Sequence, residues 1–315
     1  MQATVSCALR SLLTVLIAVA GFRFIATPWI LSFFYSFQFH IAVLIIAGSL
    51  VAVWLERGLV PIFQLSIGLV LLVHVLVTEK SVAHPTDTNG QARETITLLS
   101  FNVLASNAAG AEEIIDEIRR SGADVVYLLE SVALKDRLAE LDGIFPYRLG
   151  CGIRTRTCDL VVLSRFPVQD PTYASLSDLR QDRYVEFSAD VAGKAVVFAA
   201  VHLSKPYFDD YHTEELEQVA HRLATKKAEV VLGGDFNSGT VAPDMISFLQ
   251  TTGLRKAPHE PATWPVELGP AGIAIDHIYT SAALPIQSVR SVTNYGSNHF
   301  GLLARIGVRL PKSGS

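Results

Sequence analysis

Carboxylates, carboxamides and imidazoles recur in this chain at one kind of place, the end of an apolar run. Asn102 ends Thr-Ile-Thr-Leu-Leu-Ser-Phe-Asn, Glu130 ends Val-Val-Tyr-Leu-Leu-Glu, and His202 ends Val-Val-Phe-Ala-Ala-Val-His. Asp235 and Asn237 follow an apolar run in Gly-Gly-Asp-Phe-Asn. Asp276 and His277 lie in Ile-Asp-His-Ile-Tyr, and Asn298 and His299 precede Phe-Gly-Leu-Leu-Ala. One carboxylate after a strand is ordinarily a turn or cap residue. Six such places in one chain carry more weight, because loops at strand ends are where a rigid scaffold presents functional groups. Oxygen donors of this kind suit a hard divalent cation. An imidazole that is neutral near pH 7 accepts a proton from water when a carboxylate fixes its tautomer.

The elements that must position these residues alternate in type. Residues 95–103 predict a strand, with Leu99 and Phe101 on one face and Ile96 and Leu98 on the other, as in a strand covered on both sides. Residues 111–121 predict an amphipathic helix, with Ile114, Ile115 and Ile118 at helical spacing. Further strands are expected over 124–129, 160–164, 184–191, 195–201, 229–232, 273–279 and 300–308. Further helices are expected over 134–141, 213–227 and 244–252. This mixed order predicts an α/β sandwich with helices covering sheets.

Taken in order, Asn102, Glu130, His202, Gly-Asp235-Phe-Asn237, Asp276-His277 and Ser-Asn298-His299 resemble the endonuclease/exonuclease/phosphatase superfamily over about 95–307. That family includes DNase I, abasic-site endonucleases, inositol phosphatases and neutral sphingomyelinases. The apolar N-terminus further resembles its membrane-anchored, YafD-like bacterial branch. The resemblance implies a four-layer α/β sandwich with two mixed β-sheets, DNase I-like, preceded by N-terminal transmembrane helices. It implies Mg²⁺-dependent hydrolysis of a phosphate ester, with Mn²⁺ as the alternative cation. Glu130 would be the metal ligand, helped by the carbonyl of Asn102, and His299 the general base oriented by Asp276. Asp235 would position the nucleophilic water or assist the leaving group. Asn237 and His202 would bind phosphate oxygens or support developing charge. Arg183 would contact phosphate or be a solvated charge at the start of a strand. The family pattern has Asp where this chain has Asn298. Asn keeps a carbonyl ligand but loses the charge, which predicts weaker or retuned metal binding.

The chain of 315 residues is half hydrophobic and only 18% charged, which excludes disorder, and the apolar excess lies at the N-terminus. The first 80 residues hold four basic residues (Arg10, Arg23, Arg57, Lys80) and two acidic ones (Glu56, Glu79), a net of +2, so the remainder carries −6 within an overall −4. An acidic remainder argues against broad electrostatic binding of DNA. Residues 24–55 lack Asp, Glu, Lys and Arg. As one helix they would reach about 48 Å, too long for a ~30 Å hydrocarbon core. Ser36, Gln38 and His40 among the aromatic residues of 32–40 break the run and suit a membrane boundary. Three spans are expected at about 12–30, 39–55 and 59–77. The chain then divides into a transmembrane region (1–80), a polar linker (81–94), an endonuclease/exonuclease/phosphatase domain (95–308) and a tail (309–315). Arg23 would snorkel or sit in a helix contact. The start also reads as a signal peptide, with Arg10, an apolar run and Ala18-Val19-Ala20. The uncleaved helix is preferred, and both readings put the C-terminal domain outside. The expected location is the bacterial inner membrane, multi-pass, with the catalytic domain on the periplasmic face. Cys151 and Cys158 either stay free or, in an oxidising compartment, staple a hairpin-like loop.

Some residues have plainer readings. His277 is expected on the opposite strand face from Asp276, and His212, His221 and His259 on the surface. Trp264 anchors a loop in preference to stacking on a base or sugar. The loops over 172–182, 206–211 and 257–272 are where substrate discrimination is expected. The leading reading is a membrane-anchored phosphodiesterase or phosphatase. A nuclease acting on extracytoplasmic DNA, a silent binding module with a decayed metal site, and a scaffold are the alternatives. The partners are a phosphate-ester substrate, lipid head group or nucleic acid, and membrane lipid. The sequence leaves the substrate and the oligomeric state open.

Overall fold

The computed structural model describes residues 2–85 and 94–308. The chain opens with α1 (Gln2–Phe22), a short α2 (Ser32–Ser36), α3 (Gln38–Leu55) and α4 (Leu59–Val82). Of these, α1, α3 and α4 are long and apolar enough to cross a membrane. The first differs from the expected 12–30: it starts earlier and stops at Phe22. Pro28, which lacks an N–H and fixes φ, lies beyond its end, and Arg23 is drawn into hydrogen bonds with Gln38 and the Val241 carbonyl. The expected break over 32–40 is occupied by α2, and only Phe37 separates it from α3. Small residues let the spans approach closely; a Cβ on Gly68 of α4 would meet Ile45 of α3 at 2.9 Å. The last span runs past 77 to Val82 because its end docks on the following domain. Arg255 donates to the Ser81 carbonyl at 2.6 Å, Ala83 bridges Lys256, and the His84 imidazole meets Thr280 Oγ1 at 2.7 Å. Thus 81–85 is structured where a linker was expected. Residues 86–93 and the expected tail over 309–315 lie outside the described residues.

The strands of the second part are β1 (Glu94–Asn102), β2 (Val125–Leu129), β3 (Tyr147–Gly150), β4 (Leu160–Ser164), β5 (Gln169–Ala174), β6 (Tyr184–Val191), β7 (Lys194–His202), β8 (Glu229–Asp235), β9 (Arg255–Lys256), β10 (Asp276–Thr280), β11 (Ile286–Val292) and β12 (Gly301–Val308). Its helices are α5 (Ala111–Arg120), α6 (Tyr211–Ala224) and α7 (Pro243–Thr252), with a 3₁₀ run at Ser131–Leu141 where a short helix was expected. The strands form two six-stranded sheets, ordered β11-β12-β1-β2-β4-β3 and β5-β6-β7-β8-β10-β9. Both are mixed, since β1–β2 and β7–β8 are parallel and their other pairings antiparallel. The four strands absent from the sequence reading (β3, β5, β9 and β11) are the four sheet edges. An edge strand has one neighbour and more exposed positions, so it lacks the apolar run that marks a central strand.

Three apolar clusters stack the layers. Between the sheets lie Ile96, Leu98, Tyr127, Phe187 and Phe198, among others. Leu99 and Phe101, on the other face of β1, pack with Ile114, Ile115 and Ile118 of α5. Val197, Leu232 and Tyr279 pack with Leu216 of α6 and Phe248 of α7. The result is a four-layer α/β sandwich, helix–sheet–sheet–helix. Each buried Phe or Leu contributes roughly 1.5–3 kcal/mol, so the two sheets are held face to face and their ends are fixed relative to each other. Cys151 and Cys158 are joined as a disulfide, the pairing that the sequence left open.

Candidate active site

Strand parity aims the site. In β1, Ile96 and Leu98 face the opposite sheet, and Asn102 shares their parity. In β7 the inward set is Val196, Phe198 and Ala200, followed by His202. Asp235 shares the parity of Val231 in β8, and Asp276 that of Ile278 in β10. The same two-residue period that buries the core therefore delivers these polar groups to the gap between the sheets. Glu130 would fall on the outer face by parity. It has φ 52° and ψ 39°, a left-handed conformation that takes it out of strand alternation, at a cost of roughly 1–3 kcal/mol. Asn237 is also left-handed, with φ 51°.

Three hydrogen-bonded pairs then cross from sheet to sheet. Asn102 Nδ2 donates to Asp235 Oδ2 at 3.0 Å. His299 Nδ1 lies 2.8 Å from Asp276 Oδ2. His202 Nδ1 lies 2.8 Å from Asp159 Oδ2. Asp235 is the hub, because its Oδ2 lies 3.8 Å from His202 Nε2 and 3.9 Å from His299 Nε2. Its Oδ1 accepts from the Asn237 N–H at 2.8 Å, and Asn237 Nδ2 donates to the Leu203 carbonyl at 2.8 Å. The Glu130 carboxylate accepts from the Ala105 N–H at 3.1 Å and from Asn102 Nδ2 at 3.3 Å. Asn102 Oδ1 is taken by the Leu104 N–H at 3.1 Å. Ser297 Oγ donates to the Asn102 carbonyl at 2.6 Å, tying the Asn298–His299 loop to β1.

These groups border a cleft of about 370 Å³. Glu130, His202, Asp235, Asn237, Asn298 and His299 line it, with Arg180, Arg183 and Lys205 bringing positive charge. Trp264, Tyr207, Phe208 and Leu179 add apolar surface, and Phe208 is 66% exposed. Phe33 and Ser36, from the segment between the first two long helices, also line the cleft, and the Phe33 ring meets Tyr207 edge-on at 5.6 Å.

Electrostatics here are those of excess carboxylate. Burial would lower the His299 pKa, but the carboxylates of Asp276, Asp235 and Glu130 outweigh it and push it up to about 9. Burial would raise Asp159, but His202 and Arg183 hold it below the usual carboxylate range. Among the described residues, the side-chain donor atoms of Asp235, Asp276 and His299 lie within 4.8 Å of one another, and Asp276 Oδ1 is buried without a hydrogen-bond partner. Converging buried carboxylates with an unsatisfied oxygen fit a hard cation with oxygen ligands.

The structure brings Asn102, Glu130, His202, Asp235, Asn237, Asp276, Asn298, His299 and Arg183 to one place. Arg183 is paired with Asp159 at 3.3 Å, so it is not simply a solvated charge. His277 lies on the opposite face from Asp276, bound to the Ser238 carbonyl and Glu260. One expectation fails: His212 is buried, not superficial, between Asp244 and the Phe236 carbonyl, each 2.8 Å away. Its α6 position faces the sheet, where a polar ring is tolerated because both nitrogens are satisfied. The sequence reading passed over Asp159, although it too adjoins an apolar run, at the start of β4. It also missed Phe33 and Ser36, whose position in sequence carries no sign of the cleft.

A profile of the endonuclease/exonuclease/phosphatase family matches residues 99–299. No curated protein sequence matches the chain. Among solved structures, beta toxin from Staphylococcus aureus aligns at 15% identity over 66% of this chain and 99% of its own, with a TM-score of 0.56. A mutant of that toxin with bound magnesium ions aligns at 14% identity over 67% and 99%, with a TM-score of 0.52. Sphingomyelinase C from Streptomyces griseocarneus aligns at 17% identity over 69% and 100%, with a TM-score of 0.51. At these identities the likeness is one of fold.

Proposed function

The chain belongs to the endonuclease/exonuclease/phosphatase family, and from that premise we propose that it is a membrane-anchored, metal-dependent hydrolase of phosphate esters. The observation that carries this reading is the convergence of Glu130, Asp235 and the His299–Asp276 pair at one cleft. Asp276 accepts from Nδ1 of His299, and Nε2 faces Asp235; with a cation bound, the carboxylate charge that holds this imidazole protonated would be offset, and Nε2 would take a proton from water. Asp235 orients that water or the leaving group. Arg183, steadied by Asp159, meets the anionic phosphate, and His202 and Asn237 support the charge that develops on it. Glu130 would hold the cation, with Asn298 beside it and Asn102 bonded to the Glu130 carboxylate. A bound Mg²⁺, or Mn²⁺, would neutralise phosphate charge that otherwise repels the nucleophile. The magnesium-bearing toxin of similar fold supports the choice of cation.

Anchoring rests on the three apolar helices. The ends of α1, α3 and α4 that adjoin Arg23, Gln38 and Ala83 all touch the domain, which supports a cleft held close to the membrane surface. The disulfide favours an oxidising, periplasmic face of a bacterial inner membrane. The substrate reading that fits best is a phosphate ester in a lipid head group, motivated by Phe33 and Phe208 at the cleft.

The test is turnover of bis(p-nitrophenyl) phosphate by the full chain in detergent micelles with Mg²⁺ or Mn²⁺. We expect hydrolysis that EDTA abolishes and that His299→Ala lowers by roughly 10²–10⁴-fold. A protein that hydrolyses neither this diester, a phospholipid, an inositol phosphate nor DNA would be the silent binding module instead.

A further inference from the structure

The loop that leaves β8 carries Asp235 and Asn237, and its backbone is gripped by side chains from outside at four points. His212 meets the Phe236 carbonyl at 2.8 Å and His277 meets the Ser238 carbonyl at 2.8 Å. The Gly239 N–H donates to Ser36 Oγ at 2.9 Å, and Arg23 Nη2 donates to the Val241 carbonyl at 2.7 Å. The first two grips belong to the sandwich. The other two come from the segment between α1 and α3, some two hundred residues away in sequence. That segment is itself braced. Arg23 also donates to Gln38, Gln38 donates to the Ala20 carbonyl at 3.1 Å, and Tyr35 is buried in the cluster that holds Phe236. Contact is tight: a Cβ on Gly239 would meet Ser36 Cα and Cβ at 3.3 Å.

We infer that the segment Arg23–Phe37 is an active-site element, in which Ser36 and Arg23 act as positioning residues for Asp235 and Asn237. A tether would need only the covalent connection after α4. Here the membrane part fixes the far end of the loop whose near end is the hub carboxylate, and Phe33 supplies cleft wall. Loss of either grip lets the loop relax away from the two imidazoles, and a displacement of about 1 Å costs on the order of a hundredfold in rate. The inference rests on the hydrolase reading above.

The experiment uses the full chain in detergent micelles with bis(p-nitrophenyl) phosphate and Mn²⁺. Ser36→Ala and Arg23→Met are expected to lower kcat at least about tenfold with KM within about twofold, the pattern of a lost transition-state geometry. Arg23→Lys keeps one donor and recovers part of the loss. Glu56→Gln, at the far end of the spans where Glu56 pairs with Arg10, leaves kcat unchanged. Hydrogen exchange reads the same contact without turnover: the Gly239 amide exchanges faster in Ser36→Ala while amides of β1 and β7 do not. Wild-type kcat and unchanged Gly239 exchange in both clamp variants would overturn the inference, as would an equal loss in Glu56→Gln. A wild-type chain without turnover would count against the hydrolase reading, and the exchange result alone would then decide the clamp.

Discussion

Asn298 stands where the family pattern has a carboxylate, and it is exposed at the cleft beside the buried His299. An amide offers one carbonyl oxygen and no charge, so a cation that Glu130 would mainly hold is expected to bind less tightly than in a site with two acids. Asn298→Asp is expected to raise Mg²⁺ affinity about tenfold, because one added carboxylate near the ion contributes roughly 1.4 kcal/mol or more. Calorimetric titration of Mg²⁺ checks this, and identical affinities would remove position 298 from the metal set. The hydrogen bond of His299 to Asp276 uses no atom of the Asn298 side chain. Asp276→Asn should therefore lower kcat by the same factor in the wild-type chain and in the Asn298→Asp variant, which steady-state kinetics on the double variant would read.

At the scale of elements, the outer face of β10 has its own polar economy. Lys256 of β9 lies 3.3 Å from Glu260, and Glu260 lies 3.1 Å from His277 of β10. Burial would raise the Glu260 pKa, but Lys256 and His277 outweigh it and bring it down to about 2. Its folded value is below its unfolded value of 4.5, so the stability it adds is present above that value and is lost as pH falls toward 2. Glu260→Gln is expected to lower the melting temperature at pH 7 and to flatten its fall between pH 5 and 2 relative to wild type. Scanning calorimetry of both proteins across that range is the measurement, and parallel curves would show that the pair contributes nothing. The glycines of β8 belong to the same scale. A Cβ on Gly234 would meet the Val201 carbonyl at 1.8 Å, and Gly234 has φ 141°. Gly234→Ala therefore separates β7 from β8 just where His202 and Asp235 pair in register. We expect loss of folded protein, read as loss of the cooperative melting transition.

For the whole molecule, the proposed reading implies a cleft that would work against a bilayer. Its opening carries Phe208 and Leu179 as exposed apolar side chains, and its wall includes Phe33. A lipid ester presented in vesicles should be hydrolysed with a kcat/KM at least about tenfold above that of the same head-group ester on a short chain, since burying a few methylenes contributes about 0.8 kcal/mol each. Phe208→Ser should narrow that ratio and leave hydrolysis of the short-chain ester unchanged. Equal kcat/KM for the two esters would favour a soluble phosphate ester as substrate.

Polar residues at the ends of apolar runs brought Asn102, Glu130, His202, Asp235, Asp276 and His299 forward, because such a run is a local property that a sequence displays directly, and the family resemblance joined them as one set. Apolar runs and their periodicity also gave the central strands, the two-faced burial of β1 and the apolar spans. The four edge strands escaped notice because half-exposed strands are under no demand to be apolar. The end of the first span at Phe22 depended on what Arg23 could reach, and its partner Val241 is distant in sequence. Asp159, His212 and Ser36 became legible only when the sheets were stacked, since a lone acid, imidazole or hydroxyl is chemically ambiguous until its neighbours are known. Sequence thus determined which side chains were available and, where alternation holds to the strand end, which way the strand would face them. Tertiary structure decided which of them meet, because cross-sheet pairs and the grip of the N-terminal helical segment on the Asp235 loop arise from packing between distant segments and not from local pattern.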